Sequence, residues 1–508
     1  MSDAITNSAS NLKPGFRLGK IEWRYAAWFT VAAAIGGVAT LYPWVSLGLM
    51  GLVVFVGLCW LTLVYIRRAD LEIWQVLLLM ALSGYLLLNY GFENVAIHIA
   101  GIPIIISYGL MYSALAVALV SRRRLVAAGL QEPAVRCILI LIGFTSLRLL
   151  WQVPHYGLMA IRDATMCLDG LFMLLGLAWA MKKNSLVFLT KWMMLIFALN
   201  MLYSFTQPWQ EQIWSWSPES GVFLPVAIFG NFNGIGDLLM TGALFCICVG
   251  SFVIKRPSWL LQVLIVGQFL GFALAQVRRM YVAAAVVLLI LIFMGEVKKF
   301  AKLLFLLPAG LIVILLVTSI SGIEINGRIG AVNLEFFKEH IRSIHDSEGT
   351  PGSAVETRFD MADEALGHFY AHPIFGVGFG QPLLTDIDMR NGAVTRMPHD
   401  SSLTFLARLG VVGFAVWIAF HFCIIRAFIH ALRQRRHCPD GRLAAFVLWA
   451  FLFYVLFMIG SLVEAPFEFP SGAVPFYFFM GLTLGLIRKN FYGKPAQARL
   501  TTLNKQLA

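Results

Sequence analysis

In RQRRHCPDGRLAAFVLWAFLFYVLFMIGSL, Arg433 to Leu462, four arginines crowd a short loop and the 20 residues from Leu443 onward carry no charge. A helix of that length rises about 30 Å, the thickness of a bilayer's hydrocarbon core. It also satisfies its own backbone polar groups, as any segment crossing lipid must. The same alternation of apolar run and short basic loop recurs on both sides of this stretch. Of 508 residues, 59% are hydrophobic and 13% charged, with a mean hydropathy of +0.77. That composition excludes a soluble globular protein. The expected fold is an all-α polytopic membrane protein of about fourteen transmembrane helices, near 25–42, 44–66, 72–90, 102–120, 135–152, 164–181, 187–206, 222–252, 259–276, 280–296, 303–321, 402–428, 443–462 and 474–487.

The net charge of +12 invites a nucleic-acid reading, yet no basic run is interleaved with surface aromatics in a soluble stretch. The cations mark topology instead, and the partner they imply is the lipid bilayer, not nucleic acid. Arg24, Arg67 and Arg68, Arg122 to Arg124, Lys182 and Lys183, Lys255 and Arg256, Lys298 and Lys299, Arg433 with Arg435 and Arg436, and Arg488 with Lys489 all fall on one side when the spans are threaded in order. By the positive-inside rule that side is cytoplasmic. The chain then divides into a cytoplasmic tail (1–24), a bundle of about eleven spans (25–321), an outer loop (322–401), a second bundle of about three spans (402–487) and a cytoplasmic tail (488–508). Seven cysteines without CxxC spacing form no disulfide framework, and the first apolar run lacks a cleavage site and is read as a retained span.

Arg278 and Arg279, in AQVRRMYVAAA, break the charge rule, because they fall on the outer side with too few residues around them for a solvated loop. Charge at a membrane boundary is costly and is read as functional by default. Arg148, at the outer end of the fifth span, and Arg162 are weaker instances, and Arg162 with Asp163 also suits a solvated loop pair.

The outer loop, about 80 residues from Gly322 to Ser401, holds five of the ten histidines. Two amphipathic helices are expected in it. NLEFFKEHIRSI carries Leu334, Phe337, Ile341 and Ile344 on one face, and TRFDMADEALGHFY carries Phe359, Ala362, Leu366 and Phe369. His368 and His372 have metal-pair spacing without the HExxH glutamate, and Asp386 with Asp388 reads better as a solvated acidic turn than as a cation site. No metal and no cofactor is assigned.

RMPHDSSLTFLARLGVVGF, with His399, Asp400, Gly410 and Gly413, resembles the signature of the O-antigen ligase and polymerase superfamily. Asp400 stands where that family usually has asparagine, serine or glutamine. Three further segments resemble it in the same order: IFGNFNGIGDLL with Asn231 and Asn233, AQVRRMYVAAA, and TRFDMADEALGHFYAHPIFGVGFG with Arg358 and the glycines at 376, 378 and 380. The resemblance covers roughly the second half of the chain. It implies a helical bundle of the glycosyltransferase C type in the bacterial inner membrane, which takes glycan from undecaprenyl pyrophosphate on the periplasmic face and transfers it to a hydroxyl acceptor without a metal.

Arginines suit a pyrophosphate leaving group because they offer bidentate, charge-assisted hydrogen bonds. Arg278 and Arg279, completed by Arg358 and Arg396, are the expected clamp, with Arg148, Arg162, Asn231 and Asn233 as weaker candidates. His399 is the expected catalytic base, neutral near neutral pH. Asp400 either orients it or caps the following helix. Glu464 and Glu468 face the same side without a motif, and Trp209, Trp214 and Trp216 suit sugar stacking or interfacial anchoring.

The expected activity is polymerisation of undecaprenyl-pyrophosphate-linked repeat units of O-antigen, capsule or exopolysaccharide. The alternative is a ligase that moves glycan to lipid A-core or protein. A separate chain-length regulator is a candidate partner. From another class, a lipid-linked oligosaccharide flippase suits the span count, but transporters commonly carry an internal repeat, and the enlarged loop on one face favours surface chemistry.

Overall fold

The computed structural model describes residues 71–99, 102–122, 124–182, 185–222, 225–232, 234–254, 258–296, 354–384 and 397–492. The expected spans near 25–42, 44–66 and 303–321 lie outside these residues, as do the first amphipathic pattern, Asn233, Arg396, Asp386, Asp388 and the side chain of Arg278. The chain divides into two compact units, Met1–Leu71 and Glu72–Ala508, and the second is described here.

The described residues form a multi-pass helical bundle. Its principal helices are α1 (Ile73–Leu88), α2 (Ile106–Ser121), α3 (Pro133–Tyr156), α4 (Leu158–Met181, through a 3-10 turn), α5 (Ser185–Ser204), α6 (Ile235–Val253), α7 (Ser258–Ala275), α8 (Arg278–Phe293), α9 (Ala354–Ala371), α10 (Ser401–Gln434), α11 (Gly441–Ser461) and α12 (Pro470–Phe491). Seven of them are long and apolar enough to cross a membrane, and α1, α2, α7 and α8 are shorter apolar helices. Helix starts follow local chemistry. Proline opens α3 and α12, where its missing N–H costs nothing. Asp440 caps α11 by accepting from the amides of Arg442 and Leu443 at 3.0 and 3.2 Å.

Small residues bring α4 and α12 together. A Cβ on Gly176 would strike the Phe478 carbonyl, and one on Gly481 would strike that of Met173. Lipid offers helices no hydrophobic gain on association, so close backbone approach and van der Waals contact hold such pairs. Trp449 of α11 is fully buried, donates to the Thr241 carbonyl at 3.1 Å and stacks parallel to Phe453. Leu150, Trp151 and Phe293 instead turn outward from the bundle, as apolar side chains on a lipid-facing surface do. At the helix ends opposite the site described below, Arg122 pairs with Glu72, Arg435 with Glu296, and Arg488 with Glu132 at 3.1 Å.

Four expectations need correction. The apolar run near 222–252 is helical only from Ile235; a short hairpin, β3 (Glu219–Ser220) with β4 (Val226–Ala227), and an irregular turn precede it. Likewise β1 (Ala96–Ile99) pairs antiparallel with β2 (Ile102–Ile105) before α2, where a span from 102 was expected. Hydropathy reports an apolar environment, not backbone period, and Pro103, Pro225 and Gly230 interrupt helix there. Asp163 is no solvated loop residue, since it lies in α4 with its side chain buried. On α9 the buried residue is Ala365, and Phe359 of the expected stripe is 68% exposed.

Candidate active site

Helix α10 is broken at its tenth residue. Gly410 adopts φ 62° and ψ −169°, a left-handed backbone that disfavours a Cβ, and an added Cβ would meet the Ile374 carbonyl. The break frees the carbonyls of Ala407 and Arg408 and the amides of Val411 and Val412. The segment after α9 satisfies all four. Val377 and Gly378 donate to Ala407 and Arg408 at 2.9 Å each, and Val411 and Val412 donate to Pro373 and Ile374 at 2.9 and 3.2 Å. Gly376 (φ 69°), Gly378 (φ 86°) and Gly380 (φ 96°) let this segment coil against the helix. Arg148 reaches across from α3, donating to the carbonyls of Phe375, Gly376 (3.0 Å) and Arg408 (3.3 Å). Gln152, one turn on, accepts from the Phe379 amide at 2.8 Å and donates to the Val377 carbonyl at 3.2 Å.

A charged cluster sits where α6, α8 and α10 begin and α11 ends. Arg279 Nη2 is 2.6 Å from Asp237 Oδ2 and its Nη1 is 2.6 Å from Glu464 Oε1. The other oxygen of Glu464 lies 3.5 Å from His399 Nδ1. One carboxylate therefore spans the arginine and the histidine. The His399 side chain is 43% exposed and open to a substrate, and that of Arg279 is 15% exposed. Burial, then the nearby cations Arg358 and Arg279, hold the imidazole pKa below its ordinary value, so the ring is neutral at neutral pH. Asp400 Oδ1 accepts from the amides of Ser402 and Leu403 at 2.7 and 3.1 Å and caps α10, fixing the histidine at the mouth of that helix.

Behind His399 lies a polar layer. Ser401 Oγ donates to Glu468 Oε2 at 2.7 Å, and burial pushes the Glu468 carboxyl up to about 7. Arg408, 1% exposed, pairs with Asp163 Oδ2 at 2.9 Å and donates to the carbonyls of Gly378 at 2.9 Å and Gln381 at 3.2 Å. Asp163 also accepts from the Gly380 amide at 3.0 Å. Arg162, Asp163, Met397, Arg408 and Glu468 line a small cavity beside this layer.

Residues 263–418 match the family model described as O-antigen ligase. Over these residues the chain is similar to O-antigen ligases. The match supports the O-antigen ligase and polymerase superfamily that the motifs resemble, and with it a ligase- or polymerase-type function. No curated protein matches the chain. The matched stretch runs from α7 into the first half of α10, and it contains Arg279, Arg358, His399, Asp400, Gly410 and Gly413.

Within that stretch the geometry brings Arg279 and His399 together, with Arg358 on the exposed face of α9 near enough to act on the histidine electrostatically. Arg278 opens α8 beside Arg279. Arg148 and Arg162 lie outside the matched residues, the first turned to the glycine-rich loop and the second lining the cavity. Asn231 is buried next to Gly230, whose amide donates to Tyr203 Oη at 2.8 Å. The sequence reading missed Asp237 entirely and had no role in the cluster for Glu464. The available signal was an acid in the first turn of an apolar span, in IFGNFNGIGDLL, and one just past the end of another. Among the described residues no group of three or more acids, histidines or cysteines could hold a metal ion.

Proposed function

We propose that the protein is a polymerase of undecaprenyl-pyrophosphate-linked oligosaccharide repeat units, working by metal-independent, inverting glycosyl transfer on the periplasmic face of the bacterial inner membrane, with both termini cytoplasmic. The observation that carries this reading is the juxtaposition of Arg279 and His399 at one mouth of the bundle through Glu464. The acceptor hydroxyl gives its proton to His399 Nε2 as its oxygen attacks the anomeric carbon. The bond from that carbon to the pyrophosphate oxygen breaks, and undecaprenyl pyrophosphate leaves with the electron pair. One displacement inverts the sugar. Arg279, with Arg278, Arg358 and Arg396, stabilises the charge that develops on the leaving group, the work a divalent cation does elsewhere. The depressed pKa of His399 suits it to accept a proton near neutral pH.

The family description, O-antigen ligase, favours a second reading in which the same chemistry transfers glycan to lipid A-core or protein. A single experiment separates these from a flippase. Purified protein in detergent is incubated with labelled lipid-linked repeat units, and glycan length and undecaprenyl pyrophosphate release are followed for wild type and His399→Ala. Longer glycan that is lost in the variant supports the polymerase. Transfer only when lipid A-core is added supports the ligase. No transfer under either condition rejects the enzyme, because detergent removes the two compartments a flippase needs and leaves transfer unaffected.

A further inference from the structure

Glu464 has two oxygens with two different partners, and both partners belong to the reaction proposed above, on which this inference rests. Its Oε1 is bound to Arg279 at 2.6 Å, while Oε2 stands at 3.5 Å from His399 Nδ1, long for a hydrogen bond. Arg279 is held independently by Asp237, which takes the other terminal nitrogen at 2.6 Å. The guanidinium thus keeps its place and its orientation when Glu464 lets go, and Nη1 is the position it then offers. We propose that Glu464 is a donor-operated positioning residue: the diphosphate of the lipid-linked donor takes its place on Arg279, and the released carboxylate closes on His399 Nδ1, which turns Nε2 to the acceptor hydroxyl.

The chemistry favours this exchange. A diphosphate carries more negative charge than a carboxylate and matches the guanidinium fork as well. Glu464, 39% exposed, forms with Arg279 an ion pair of modest strength, so it is a partner that an anionic ligand displaces readily. Once freed, it faces an imidazole whose proton affinity is held down by burial and then by Arg358 and Arg279. A carboxylate on Nδ1 stabilises the imidazolium formed as the acceptor loses its proton, and it selects the tautomer with Nε2 unprotonated. The base is then at full strength only when a donor is bound. Without a donor Arg279 occupies the carboxylate, which limits misdirected proton transfer. Among the described residues, the other charged and titratable groups near the histidine are Arg358 on α9, Asp400, engaged in capping α10, and Asp237 on α6, engaged with Arg279; Glu468 faces Ser401 behind it.

The test uses full-length protein in detergent and two readouts. In the first, farnesyl diphosphate is the probe and binding needs no turnover. Glu464→Gln removes the competing anion from Arg279 and is expected to bind the probe about twofold to fivefold more tightly than wild type, the equivalent of one partly exposed ion pair. Arg279→Gln is expected to lose binding. In the second, the turnover rate is measured against pH with saturating lipid-linked donor. Glu464→Gln is expected to lower the rate about tenfold to a hundredfold and to move the acid limb to lower pH by about one unit, because the imidazolium has lost its anion. Glu464→Asp is expected to recover part of the rate and the limb. A structural role for Glu464 would weaken binding and leave the limb where it is. Unchanged or weaker binding by Glu464→Gln, or an unmoved acid limb, overturns the proposal. Full turnover in His399→Ala instead overturns the transfer mechanism itself, and the binding comparison still reads the exchange at Arg279.

Discussion

Two neighbouring acids, Glu464 and Glu468, differ in environment and hence in consequence. Glu464 stays 39% exposed between the Arg279 guanidinium and the His399 imidazole, whereas Glu468 places its carboxyl against Ser401, Thr404 and Arg408, where burial pushes its pKa up to about 7. An unfolded glutamate ionises near 4.3. The folded state therefore retains a proton that the unfolded state gives up. The resulting stabilisation is complete below about pH 4.3 and is lost as pH rises from there to about 7. Discounted for a residue that is only half-buried, the loss is about 1–2 kcal/mol. Thermal unfolding of the detergent-solubilised protein at pH 5 and pH 8 is expected to show this fall in wild type and a smaller one in Glu468→Gln. The amide still accepts from Ser401 but has no charge to bury. An equal fall in both proteins would place the titrating group elsewhere.

The helix-and-loop unit around Gly410 shows how an element can depend on one backbone conformation. A 34-residue helix would run straight through this point, and its hydropathy gives no sign of a break. The left-handed glycine opens a gap in the ladder, and Pro373–Gly378 fills it with reciprocal hydrogen bonds. Gly410→Ala is expected to destabilise the protein by at least about 2 kcal/mol, from the left-handed backbone and the clash with the Ile374 carbonyl. It is also expected to raise hydrogen exchange at the Val377 and Gly378 amides while α11 stays protected, which mass-spectrometric exchange would resolve. Equal exchange in variant and wild type would show that the loop does not depend on this break. The glycines at 376, 378, 380 and 410 were legible as a pattern. That the segment carrying the first three closes the helix break at the fourth was not, because that pairing is between backbones and carries no mark in side-chain type.

Across the whole molecule, Asp163 and Arg408 tie α4, α10 and the glycine-rich loop into one body at a depth where neither charge reaches water. Removing one partner of such a pair costs far more than removing both. Asp163→Asn is expected to lower stability by about 3–5 kcal/mol, and Asp163→Leu combined with Arg408→Met to recover much of it, as read by unfolding midpoints in one detergent. Similar losses in the single and double variants would mean that the hydrogen bonds of Arg408 to Gly378 and Gln381 dominate. The amino-acid sequence alone determined the class of molecule, the alternation of spans and basic loops, and the order of the family motifs. A bilayer's thickness and its charge rule act along one dimension, and a chain records them residue by residue. Only the tertiary structure decided where helix yields to hairpin before α2 and α6, that Asp163 is buried, and that Asp237, Arg279, His399 and Glu464 form one cluster. Those residues come from four separate parts of the chain. An ion pair is set by distance in space, and no local pattern in sequence records which distant charge will arrive beside it.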